Sequence, residues 1–109
     1  MENPLHLSLN GDTLWSSCGI QDGYVCRVDT STSKLVTKVH IGDDVEAIAA
    51  DADSVWVAQD LKDEIVRINA STNTVVDTIR TRGHPTGIVT TEQAVWVGDA
   101  EGKVHRIDR

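Results

Sequence analysis

Carboxylates are the side chains with most chemistry to offer in this chain. Asp22, Asp60, Asp63, Asp99 and Glu101 sit between short apolar runs, and Asp43 and Asp44 stand as a pair just ahead of another. Gathered on one surface they would focus negative potential and attract a cation, a basic peptide or a polyamine. Asp is also a common turn residue, because its carboxylate accepts hydrogen bonds from nearby backbone. Asp60-x-x-Asp63 is not a calcium loop, since the chain holds no Asp-x-Asp-x-Asp-Gly run. His84 lies in a Gly-His-Pro loop, where a surface histidine is the ordinary outcome. Trp15, Trp56 and Trp96 could stack on sugars or cations, but their recurrence at one position points to interior filling. Cys18 and Cys26 have no CxxC spacing, so no metal site is expected of them. A hairpin centred on Asp22 would set the two cysteines opposite each other, whereas a tight turn at Asp22-Gly23 would offset them. Half-buried free thiols are the expectation and a bridge is the alternative. Asn69-Ala70-Ser71 has the form of a glycosylation site, but Asn is also what a strand-end turn prefers, and it is read here as a turn.

Bulk composition narrows the partners. The 109 residues carry a formal charge of −7, which disfavours nucleic acid and anionic membrane surfaces. No apolar run approaches the roughly 20 residues of a membrane-spanning helix. Met1-Glu2-Asn3-Pro4 is unlike a signal peptide, so a cytoplasmic location is favoured. The hydrophobic share is 39% with no Phe, so a core requires regular placement of Val, Ile, Leu and Trp.

That regularity is present. The three tryptophans are spaced 41 and 40 residues apart, each after Leu14, Val55 or Val95. Arg27-Val28-Asp29 recurs as Arg67-Ile68-Asn69 and Arg106-Ile107-Asp108, and Ser31–Val36 recurs as Ser71–Val76. Within each repeat the apolar period is two, as in Glu64–Asn69, with β-branched residues bounded by polar turns. The second repeat reads as strands at about 45–50, 54–59, 64–69 and 74–80. The first strand of the chain is expected at Leu5–Leu9. Eleven strands in all are expected, in groups of four, four and three, in repeats at about 4–41, 45–80 and 86–108. Short polar links favour up-and-down hairpins.

A repeat of about 40 residues and four strands fits a β-propeller blade. The wording Val55-Trp56-Val57-Ala58-Gln59, Val66–Asn73, Val75–Ile79 and Gly83-His84-Pro85-Thr86-Gly87-Ile88 resembles the bacterial propellers of the YVTN, NHL and streptogramin-lyase-like group. The resemblance covers about residues 4–108. It implies an all-β fold of roughly 2.75 blades in this chain. The lyase branch of the group uses His and Glu with a divalent metal near the channel mouth. Here His84, Glu46 and His6 lie near inner strands, but no His/Glu pair matches that branch's motif. Gln59 and Asp99 stand where the group often has Asn after Trp-Val-Ala.

In such a blade the links into inner strands and the links between second and third strands open on one face. Asp22, Asp43, Asp44, Asp60, His84 and Asp99 would then share it as a ligand surface. The expected function is a non-enzymatic binding or scaffold module without cofactor or metal. A metal-dependent lyase and a sugar-binding propeller are the alternatives. A few blades cannot close a ring, so the chain is expected to form a homo-oligomer or to belong to a longer propeller.

Overall fold

The computed structural model describes residues 6–18, 23–42, 45–59, 62–81 and 83–109. Those residues form eleven strands and no helix. The first sheet holds β1 (Leu7–Asn10), β2 (Thr13–Cys18), β3 (Tyr24–Asp29) and β4 (Lys34–His40). The second holds β5 (Val45–Ala50), β6 (Ser54–Gln59), β7 (Glu64–Asn69) and β8 (Thr74–Arg80), and the third β9 (Pro85–Thr90), β10 (Ala94–Asp99) and β11 (Val104–Asp108). Every pairing is antiparallel between consecutive strands, in the order β1-β2-β3-β4, β5-β6-β7-β8 and β9-β10-β11. The four-four-three grouping expected from the repeat is therefore present, and the second-repeat strands coincide with the expected ones. The first strand runs to Asn10 rather than stopping at Leu9. Asn10 pairs with Thr13 across a two-residue turn in which Gly11 takes φ +59°, a left-handed conformation that glycine adopts without penalty.

Register fixes which side chains share a face. Trp15, Trp56 and Trp96 stand opposite Arg27, Arg67 and Arg106 on the neighbouring strand. Each guanidinium lies 5.4 Å from the tryptophan ring. Flanking residues such as Val55, Val57, Val95 and Val97 point to the other face, because side chains alternate along a strand. The Trp face of one sheet packs on the aliphatic face of the next. Trp15, Val25 and Val39 meet Val55, Val57, Val66 and Ile68 in one core cluster. Trp56, Ala58 and Ile65 meet Val95 and Val97 in the second. The middle sheet is thus covered on both sides, and β6 is buried along its whole length. Burial of this kind stabilises by about 25 cal/mol for each Å² of apolar surface removed from water.

Polar contacts reinforce the stacking. Arg27 Nη1 donates to Ala70 O at 2.9 Å and to Asn73 Oδ1 at 2.8 Å, joining the first sheet to the turn after β7. That turn is held by Asn69, whose Oδ1 accepts from the N–H groups of Ser71 and Thr72. The turn reading of Asn69 agrees with this. Asn73 and its first-sheet counterpart Ser33 both take φ 59°, so the two turns have the same shape.

Candidate functional site at the loop end

The two ends of the sheet stack differ in their residues. One end carries the hairpin turns Asn10–Gly11 and Ala52–Asp53 and the segment Thr90–Glu92. Asp51 lies there beside Arg109, which donates to its Oδ2 and to Thr91 O. Burial pushes the Asp51 carboxyl up, but Arg109 and the N–H groups of Ser54 and Asp53 together hold it below its ordinary value.

The opposite end carries the links between β2 and β3, β4 and β5, β6 and β7, and β8 and β9. Here His84 and Asp99 come together. Ala100 N donates to His84 O at 2.9 Å, and Gly83 lies so close to the Asp99 carboxylate that an added Cβ would fall 2.8 Å from it. His84 Nε2 is 3.6 Å from Glu46 Oε1, a contact between the second and third sheets with both side chains about one-third exposed. Glu46 sits at a register shift between Val45 and Ala47, and such bulges commonly re-aim a side chain. Asp22, Asp43, Asp44 and Asp60 lie outside the described residues.

Asp99 does more for its loop than a ligand surface would ask of it. Its side chain is 2% exposed. Oδ1 accepts from Glu101 N and Lys103 N, both at 2.9 Å, and Oδ2 meets His105 Nε2 at 2.7 Å. The His105 bond first, then the backbone donors, hold the carboxyl below its ordinary range against the opposing effect of burial. The alternation Asp99, Glu101, Lys103, His105 was the visible signal for this knot, but which of these side chains pair depends on the hairpin register.

The first sheet ties the same place differently. Cys18 and Cys26, the repeat counterparts of Asp99 and His105, form a disulfide with a Cα–Cα separation of 5.9 Å. This corrects the expectation of free thiols. Ser16 pairs with Cys26 and Cys18 with Tyr24, so the cysteines stand diagonally on one face of the hairpin, within bridging distance. The pairing centres this hairpin one residue before the Asp22-centred geometry and one and a half before the Asp22-Gly23 turn. In the second sheet the counterpart is Gln59, 2% exposed, whose Oε1 has no hydrogen-bond partner among the described residues.

Among the described residues no three His, Cys, Asp or Glu side chains gather as a metal site requires. Glu46 and His84 are together, and among the described residues His6 does not complete a set with them. The tryptophans divide. Trp15 and Trp56 are 1% and 4% exposed, which removes them as sugar platforms, whereas Trp96 is 37% exposed. No helix among the described residues is long and apolar enough to cross a membrane.

No protein-family model matches the chain, and no curated protein matches it. Solved structures do match. Hydrazine synthase from Kuenenia stuttgartiensis superposes with a TM-score of 0.88 at 21% identity, over 96% of this chain and 32% of that one. BamB from Moraxella catarrhalis gives 0.79 at 15% identity, over 94% and 30%. The β-propeller domain of Cps50 (Swd1) from Myceliophteria thermophila gives 0.81 at 15% identity, over 99% and 36%. This chain spans about a third of the length of each. Its fold is that of part of a β-propeller.

Proposed function

We propose that the chain is a non-enzymatic propeller segment that acts as a scaffold and binding module, with the acidic loop end as its recognition surface. The observation that carries this reading is the cross-blade pair His84–Glu46, about one-third exposed at the end opposite the Asn10–Gly11 and Ala52–Asp53 turns. The charge of −7 and the placement of Asp22, Asp43, Asp44 and Asp60 in those links favour a positively charged partner. A Lys/Arg-rich peptide segment is the best match, since it can meet several carboxylates at once. The resemblance of Val55–Gln59, Val66–Asn73 and Gly83–Ile88 to the YVTN, NHL and streptogramin-lyase-like group of bacterial propellers supports a binding or scaffold role. A Cys18–Cys26 bridge suits an oxidising compartment better than the cytoplasm.

The test is a titration of isotope-labelled protein with a short oligolysine peptide, followed by backbone NMR. Shifts are expected around Glu46, His84 and the acidic links, and they should weaken as salt shortens the screening length. Asp43→Asn with Asp44→Asn should lower affinity about three- to tenfold. Shifts confined to the opposite end, around Asn10, Ala52 and Glu92, would refute this reading.

A further inference from the structure

Three apolar faces in this molecule are equivalent by register, and two of them are covered. Trp15 and Trp56 each lie beneath the next sheet, 1% and 4% exposed. Trp96 stands at the same strand position beneath the same arginine stack, yet it is 37% exposed, and its strand neighbour Val89 is 63% exposed. At the other end of the stack the first sheet shows the complementary kind of face. Leu7 and Leu9 are 61% and 62% exposed there. Leu9 pairs with Leu14 as Ala50 pairs with Val55, and the Ala50–Val55 side of the second sheet is the one that covers Trp15.

We propose that the Trp96 face of one copy docks on the Leu9–Leu14 face of a second copy, head to tail, repeating the contact that joins the first and second sheets. This rests on the reading of the chain as a propeller segment, and it adds the identity of the neighbour. Continuity with the internal interfaces specifies the contact. Val89 meets Leu9 of the second copy, and Trp96 lies over its Leu14. Arg27 reaches from its stack to the carbonyl of Ala70 and the side chain of Asn73. The first-sheet counterparts of those acceptors are Thr30 and Ser33, and Ser33 shares the φ of 59° that shapes the Asn73 turn. Arg106 can therefore turn from its own Asp108, which it now bonds at 2.8 Å, to the Thr30 carbonyl and Ser33 hydroxyl of the second copy. The contact joins two different faces, so it forms a ring if the rotation closes and a filament if it does not. Two copies supply between five and six blades and three about eight, both within the usual size of a propeller.

Sedimentation velocity of the full chain from about 1 to 200 µM spans the affinities such an interface would have. The expected result is a concentration-dependent rise from monomer to a defined dimer or trimer. Leu9→Glu and Val89→Glu should each abolish it, and both positions are exposed enough for the fold to survive, which circular dichroism checks. Each variant keeps one intact face. An equimolar mixture of the two should therefore restore a one-to-one dimer, which a contact between two like faces would not do. Wild-type protein that stays monomeric throughout overturns the proposal, as does a mixture that fails to associate. Oligolysine titration of Leu9→Glu separates the outcomes, because binding at the loop end does not require the second copy.

Discussion

Trp56 and Trp96 occupy the same position on the second strand of their sheets, each with an arginine 5.4 Å above the ring, and they differ almost entirely in what lies beyond them. The third sheet covers Trp56, while no sheet among the described residues covers Trp96. The local structure is the same in both sheets, so a blade's strand pattern builds the Trp–Arg pair without burying it. Burial is conferred by the neighbour, as expected for repeats that cannot enclose a core alone.

Truncation at the two positions breaks the comparison most directly. Trp56→Ala should cost about 3–5 kcal/mol in chemical denaturation, as large core truncations do. Trp96→Ala, measured on dilute protein, should cost under about 1 kcal/mol, in the range of surface changes. Equal costs would mean that the stack does not set burial. Reducing the Cys18–Cys26 bridge should cost about 2–3 kcal/mol from the entropy released by a loop with a sequence separation of 8. Thermal melts with and without reductant read this, and the loss should not affect the Asp99–His105 hairpin. The smallest effect is on pH dependence. The folded-state pKa of Asp99 is depressed, so its contribution is present above the ordinary carboxylate range and lost as pH falls through and below it. Asp99→Asn should therefore flatten the acid limb of the melting curve below about pH 4 while leaving the Cys18–Cys26 hairpin intact.

The strands were legible because their signals are local. Period-two runs such as Glu64–Asn69 are bounded by Asp, Asn and Ser, and repetition at about 40 residues supports each boundary with its copies. Trp and Arg were each visible as repeat markers. Their pairing was not read, although separations of 12, 11 and 10 residues across a hairpin imply it. The burial of Trp56 followed from its recurrence, and the exposure of Trp96 follows from its place at the end of the stack. The cysteine bridge stayed an alternative because the sequence does not decide between hairpin registers one residue apart, and such a slip flips which side chains share a face. Asp99 was placed at the correct end of the stack, beside His84. The internal engagement of its carboxylate had only the alternation Asp99, Glu101, Lys103, His105 as a signal, and it depends on how the backbone of Glu101 and Lys103 folds back on it.

The order of strands in each sheet follows their order in the chain, and this shapes how the molecule assembles and comes apart. No hairpin has to wait for a distant segment, so closing each sheet costs little loop entropy. Cooperativity then resides in the two interfaces between sheets rather than within them. Amides of β6 and β7, flanked by both interfaces, belong to the unit that opens last in native-state hydrogen exchange, while the first and third sheets fray from their uncovered faces.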